Sequence, residues 1–262
     1  MIPQASITAW SNTSPWGNLH YVEQDLVLCR VLAEMFSDSL LSAKLAFRGG
    51  SAIHKLYLSP QPRYSEDLDF IQITPEPIGA VLNRIREVLS FLGKPRIKQS
   101  QRGTTIFFYF LSETLPQTKL RLKIEINCKE HLNVQGLVIV PFEVRNPWFT
   151  GNCDIVTYSI DELIGTKIRA LYQRKKGRDL FDVYYALING KLDVNKTIIC
   201  YKKYMELSVI QVPSAELYLD NLSSKINDPL FNSDIMPLLR PGINYNIHEA
   251  YNAFQKYFIG VM

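Results

Sequence analysis

Residues 48 to 70 read Arg-Gly-Gly-Ser-Ala-Ile-His-Lys-Leu-Tyr-Leu-Ser-Pro-Gln-Pro-Arg-Tyr-Ser-Glu-Asp-Leu-Asp-Phe, a glycine-serine turn followed by two aspartates that alternate with apolar residues. In extended structure Asp67 and Asp69 point to one side while Leu68 and Phe70 point to the core. Two carboxylates held so close repel each other unless a cation sits between them, and hard oxygen ligands favour Mg²⁺, with Mn²⁺ as a substitute. The layout suits metal-assisted nucleotidyl transfer. The plainer alternative places the pair at an exposed edge or neutralises it with Arg48 or Arg63.

A second alternating run, Arg121-Leu122-Lys123-Ile124-Glu125-Ile126-Asn127, places Leu122, Ile124 and Ile126 on a buried side and Lys123, Glu125 and Asn127 on the other. If this strand lies beside the first, Asp67, Asp69 and Glu125 surround one metal pair. Two-metal transfer needs ions roughly 3.5–4 Å apart, and Glu125 is then the candidate base for the attacking hydroxyl. Gly49, Gly50 and Ser51 complete the picture: glycine lets backbone N–H groups approach phosphate oxygens, and a helix N-terminus favours anions. A Gly-Gly between strand and helix is otherwise just a turn.

The remaining pattern predicts a helix over 21–38, a strand over 44–48 and a helix capped by Ser51 that runs to about residue 58. A strand over 67–73 and an amphipathic helix ending near Leu92 follow. Strands are then expected over 96–100, 104–111, 120–127 and 136–144, with a short one over 153–157, whereas residues before about 20 look irregular. From Ser159 onward the period is helical, so the domain boundary is set near residue 158. Ser159 and Glu162 form a capping box, and Ile160, Leu163, Ile164, Lys167, Ile168 and Leu171 share one stripe. A lysine inside an apolar stripe either snorkels or lines a pocket. Gly177 is expected to end this helix. Arg178-Asp179-Leu180-Phe181-Asp182 opens the next, with an Arg178–Asp182 salt bridge as the plain reading of that corner and, as the functional one, the corner closing over a nucleotide or Asp182 orienting Lys167 or the substrate.

The 262 residues, 47% hydrophobic, suffice for a sizeable core, and the net charge of +4 hides an uneven distribution. Residues 94–129 hold eight Lys or Arg against two acids, whereas three basic residues face six acidic ones from Met205 onward. A basic centre suits a polyanionic ligand. Cys29, Cys128, Cys153 and Cys200 lack zinc or redox spacing and read as free thiols of a reducing compartment. The uncharged but polar first 22 residues have no basic n-region, which argues against a signal peptide, and no apolar run approaches the ~20 residues that span a bilayer. A cytoplasmic location without membrane contact is expected.

Together, Arg48 to Phe70, the Lys123-Ile-Glu-Ile-Asn127 strand, the Lys167 to Arg174 helix and Arg178-Asp-Leu-Phe-Asp182 resemble the AbiEii nucleotidyltransferase toxins, which are related to the MenT toxins within the DNA polymerase beta superfamily. The resemblance implies an α+β fold: a nucleotidyltransferase core of mixed sheet with flanking helices over 1–158, and a helical domain over 159–262 that contributes Lys167 and the Arg178–Asp182 motif to the cleft. It matches Gly50 and Ser51 to the phosphate-binding turn, Asp67 and Asp69 to the metal pair, Lys167 to the motif lysine, and Arg178, Asp179 and Asp182 to the last motif. Glu125 stands where many superfamily members carry Asp. The implied activity is Mg²⁺-dependent transfer of an NMP from an NTP to an RNA 3′-hydroxyl, that of tRNA above all, by the toxin of a toxin–antitoxin or phage-defence pair whose antitoxin is a further partner. Two other readings stand beside it: an acceptor hydroxyl on a protein or small molecule, and a non-catalytic protein that binds nucleotide or a partner.

Overall fold

The computed structural model describes residues 2–101, 103–190, 192–208 and 211–262. Arg102 of the basic stretch, and Lys191, Val209 and Ile210 of the segment expected to be helical, lie outside the described residues. The chain divides into two compact units, Met1–Leu132 with Leu137–Tyr158, and Asn133–Gly136 with Ser159–Met262.

In the first unit the order is α1 (Gln4–Trp10), α2 (Leu19–Ser37), α3 (Ser39–Lys44), β1 (Leu45–Arg48), α4 (Gly49–Ala52), β2 (Asp67–Gln72), α5 (Gly79–Val88), β3 (Arg96–Ser100), β4 (Gly103–Leu111), β5 (Lys119–Asn127), β6 (Leu137–Asn146) and β7 (Phe149–Tyr158). The seven strands form one mixed sheet in the order β3-β4-β5-β2-β1-β7-β6. Its neighbours run antiparallel except β2 with β5 and β1 with β7. Alternation drives the layering: Leu68 and Phe70 of β2 and Leu122, Ile124 and Ile126 of β5 are buried, while the residues between them are not. Phe70 packs on Phe47 and Phe36, with ring centroids 5.3 and 6.1 Å away. On the amphipathic α5, Val81, Leu82 and Ile85 are buried, and Leu89 continues that face just past its end.

Three elements differ from the sequence expectation. The start is not irregular: α1 forms because Ile7 and Trp10, three apart, bury one face, and the Trp10 indole donates to Asp25 Oδ2 at 3.0 Å. The helix after β1 begins at Gly49 rather than at a Ser51 cap, and widens to a π-turn over Ile53–Tyr57. The short strand expected over 153–157 is the end of the ten-residue β7, which pairs with β6 through a two-residue connection, Asn146 opposite Phe149. Gly151 and Asn152 mask its alternation in the sequence.

The second unit is helical through α6 (Ile160–Gln173), α7 (Gly177–Asn189), α8 (Val194–Glu206), α9 (Ala215–Ile226), α10 (Pro229–Ser233) and α11 (Ile247–Phe258). Gly165 lets α6 approach α8, since a Cβ there would lie 2.7 Å from Cys200 Cβ and 2.8 Å from the Thr197 carbonyl. Ser159 caps α6 by accepting from the Glu162 N–H at 3.2 Å. The Glu162 carboxylate turns to a different task from the one a capping box would give it. It accepts from the Val134 and Gln135 N–H groups at 2.7 and 2.9 Å and from the Tyr204 hydroxyl at 2.8 Å, tying segment 133–136 to this unit. Gly177 does not end α6. It opens α7, where a Cβ would lie 2.0 Å from the Phe231 carbonyl, so close approach is the reason for glycine.

The π-turn is held to α2 by a buried ionic knot. Lys55 Nζ, on the π-turn, meets Asp25 Oδ1 of α2 at 2.7 Å and Cys29 Sγ at 3.3 Å, and the Ser14 hydroxyl donates to Asp25 Oδ2 at 2.9 Å. Burial alone lowers a lysine pKa, yet the Asp25 charge and hydrogen bonds hold that of Lys55 above its ordinary value. Desolvation pushes the Cys29 thiol up to about 12, so it stays protonated. Asp25→Ala strands a buried ammonium, and equilibrium urea denaturation should show a loss of about 3–5 kcal/mol. A loss below about 1 kcal/mol would show that the knot is not an anchor.

Candidate active site

The β1–α4 turn and two adjacent strands build the site in the first unit. Gly49 has φ of +78°, and a Cβ there would lie 2.2 Å from Asp69 Oδ2. Both backbone conformation and space therefore demand glycine at this position. Arg48 pairs with Asp69 across β1 and β2, so the turn begins directly beside the second aspartate. The Ser51 hydroxyl is fully buried and donates to the Asp67 carbonyl, with Ser65 Oγ 2.8 Å away. Its bond ties the turn to the start of β2.

The parallel pairing of β2 with β5 sets Asp67 opposite Lys123 and Asp69 opposite Glu125. Directly paired residues share a face, so Asp67, Asp69 and Glu125 stand together on the side away from Leu68, Phe70, Ile124 and Ile126. Lys123 was not among the candidate site residues of the sequence. Its ammonium lies 3.1 Å from both Asp67 Oδ2 and Glu125 Oε1. Partial burial works to lower its pKa, and the attraction of Asp67 with hydrogen bonds to both carboxylates raises it overall. These groups are part-exposed, so each pair contributes at most about 1 kcal/mol. Their main effect is to offset repulsion between acids. The signal was present in the strict alternation of residues 121–127, but only the register makes Lys123 a neighbour of Asp67.

Arg48 lies 3.6 Å from Glu130. As the side chains stand, no three His, Cys, Asp or Glu residues among the described residues are grouped tightly enough to ligate an ion. The donor set nevertheless fits a hard cation. Asp67 Oδ1 is buried without a hydrogen-bond partner, the missing Gly49 Cβ leaves room at Asp69 Oδ2, and all three side chains offer oxygen.

In the second unit Lys167, Asp179 and Asp182 converge on one another. Lys167 Nζ lies 3.1 Å from Asp179 Oδ1 and 2.9 Å from Asp182 Oδ2, both aspartates being fully buried. Arg174 adds a two-pronged contact to Asp179 at 2.6 and 2.8 Å. Burial works to raise the Asp179 pKa, and the charges of Lys167 and Arg174 reverse this and hold it below the ordinary aspartate value. Arg178, at the start of α7, is 3.8 Å from Asp234, whose carboxylate also accepts from the Arg178 N–H at 3.2 Å. Asp182 thus meets Lys167, the contact that the sequence offers for this corner beside the plain Arg178–Asp182 bridge.

A glycine-led turn beside a carboxylate-bearing strand of a mixed sheet, with a helical second unit, defines an α+β nucleotidyltransferase. The family model described as "Nucleotidyl transferase AbiEii toxin, Type IV TA system" matches residues 30–256. The chain belongs to this family, and it is a nucleotidyltransferase of the toxin class. Among solved structures, MenT4, a nucleotidyltransferase toxin from Mycobacterium tuberculosis H37Rv, is similar at TM-score 0.73 and 16% identity, over 100% of this chain and 90% of that one. JHP933 from Helicobacter pylori is similar at TM-score 0.60 and 15% identity, over 91% and 90%. A putative nucleotidyltransferase from H. pylori follows at TM-score 0.53 and 15% identity, over 91% and 92%. No curated protein sequence matches the chain. Among the described residues no helix is long and apolar enough to cross a membrane.

Gly49→Ala should fold poorly or displace Asp69. The left-handed backbone alone costs alanine about 1–2 kcal/mol, and the 2.2 Å approach adds to it. Urea denaturation should show at least that loss, whereas Gly79→Ala, with open space around it, should not. Equal stability of the two variants would contradict the role given to the turn.

Proposed function

We propose that the protein transfers an NMP from an NTP to the 3′-hydroxyl of an RNA, tRNA being the acceptor of choice, and that Mg²⁺ or Mn²⁺ assists. The hydroxyl oxygen bonds to the α-phosphorus as the bond to the β-phosphate breaks and pyrophosphate leaves. The observation that carries this reading is the register that pairs Asp69 with Glu125 and Asp67 with Lys123 beside the Gly49-Gly50 turn. Asp67, Asp69 and Glu125 are the side chains that would hold divalent cations. When bound, such ions supply positive charge to the triphosphate and make the attacking hydroxyl more acidic.

The chain's own residues do the rest. The Gly49-Gly50 backbone receives phosphate oxygens at the start of α4, Asp67 and Asp69 fix the donor, and Glu125 accepts the proton of the attacking hydroxyl. Lys123 keeps the acids from repelling one another and offers its ammonium to a phosphate when one arrives. On the helical unit, Lys167, oriented by Asp179 and Asp182, and Arg178 are the cations offered to a nucleotide. Transfer to tRNA in the cytoplasm blocks translation, an antitoxin protein restrains it, and phage defence is the setting in which such a pair is useful.

Purified protein given labelled NTPs, Mg²⁺ and total tRNA should produce RNase-sensitive label, and Asp69→Ala should reduce it by at least about 10³-fold, a loss typical of removing a transition-state charge stabiliser. Label that survives Asp69→Ala would refute the carboxylate scheme. RNase-resistant label would move the acceptor to a protein or small molecule.

A further inference from the structure

Beyond the carboxylates, the same sheet face continues across β5, β4 and β3. Cross-strand pairing runs Asp67, Lys123, Phe107, Arg96 in one row and Asp69, Glu125, Thr105, Lys98 in the next. A third row pairs Tyr109 with Arg121, and a fourth Leu111 with Lys119. Charged residues of these three strands all fall on this one face: Arg96, Lys98, Lys119, Arg121 and Lys123 against Glu125 alone. The opposite face is apolar and buried, with Ile106, Phe108, Leu120, Leu122 and Ile124.

Two aromatic rings lie open among these charges. Tyr109 is 37% exposed and Phe107 part-exposed, and their rings are 24° from parallel with centroids 6.4 Å apart. Arg96 and Lys119 sit 5.6 and 5.0 Å from the Tyr109 ring, and Arg121 sits 5.8 Å from that of Phe107. A surface that only needed solvation would not place two aromatics, and a Leu111 that is 63% exposed, on its open side. Adjacent rings that share a face with cations are what single-stranded nucleic acid requires: rings stack bases and cations hold phosphates. Strands are about 4.8 Å apart, so Phe107, two strands from Asp67, lies about 10 Å from that carboxylate-bearing strand and one strand from Glu125. That distance suits the last few nucleotides of a strand whose end reaches them.

We infer that the open face of β3–β5 is the platform for the unpaired 3′ end of the acceptor RNA, with Phe107 and Tyr109 stacking its terminal bases and Arg96, Lys119 and Arg121 holding its backbone. The inference rests on the function proposed above and names the surface by which that site would choose a single-stranded end over a duplex.

The test is fluorescence anisotropy with a labelled eight-nucleotide single-stranded RNA and a blunt duplex of the same composition, without NTP. Wild-type protein should prefer the single strand. Phe107→Ala and Tyr109→Ala should each weaken it by about tenfold, while Phe107→Tyr and Tyr109→Phe keep binding and so exclude a folding defect. Arg96→Glu with Arg121→Glu should flatten the dependence of log affinity on log salt by about 0.7 for each phosphate that is no longer neutralised. In turnover, the alanine variants should raise KM for RNA and leave KM for NTP unchanged. Single-strand binding untouched by loss of the rings, or no preference over duplex, would overturn the inference; a protein partner occupying this face would give the first result. If wild type binds RNA through the rings but never labels it, the acceptor assignment fails and the platform stands. RNA that is labelled yet bound independently of the rings means the reverse: the acceptor assignment stands and the platform fails.

Discussion

The parallel pairing of β2 with β5 is the constraint from which the chemistry of the first unit follows. Two alternating strands each place every second residue on the open face, but only their register decides which open residues meet. With Asp69 opposite Glu125 and Asp67 opposite Lys123, three acids and one ammonium share one face of adjacent strands. A slip of one residue would turn Asp67 and Asp69 into the core and Leu68 and Phe70 out of it. Burial of Leu68, Phe70, Ile124 and Ile126 therefore fixes the acidic face as firmly as it fixes the core.

Charge is handled differently in the two units. In the first, Lys123 neutralises part-exposed acids that keep oxygen capacity to spare, as the unpartnered Asp67 Oδ1 shows. In the second, Lys167, Asp179 and Asp182 pair among themselves out of water, and the half-exposed Arg174 closes on Asp179 from the solvent side. Such a cluster is costly to form and more costly to break, which makes it a rigid mount rather than a store of stability. The Asp25–Lys55 knot plays a like part between α2 and the π-turn, fixing the segment that follows the glycine turn.

Local pattern carried much of this into the sequence. The strands bearing Asp67, Asp69 and Glu125, the helix bearing Lys167 and the strand–turn step at Arg48–Gly50 were all readable because period and breakers are local properties. Features that depend on partners far along the chain were not. Nothing near Ser51 says that its hydroxyl is taken by the Asp67 carbonyl, nothing near Lys55 names Asp25 thirty residues earlier, and the role of Gly177 depends on a carbonyl at Phe231. Lys123 is the most telling case. Its place on the acidic face was legible, whereas its position between Asp67 and Glu125 required the strand pairing.

The direct test of the account is Mn²⁺ binding to the purified protein in the presence of an NTP, read by water-proton relaxation and so independent of turnover. The account predicts saturable binding that falls at least tenfold in affinity when Asp67→Asn and Asp69→Asn are combined, with thermal melting confirming a folded variant. Unchanged Mn²⁺ affinity in that folded variant would contradict it, because the acids aligned by β2 and β5 would then not be the ones that hold the ion.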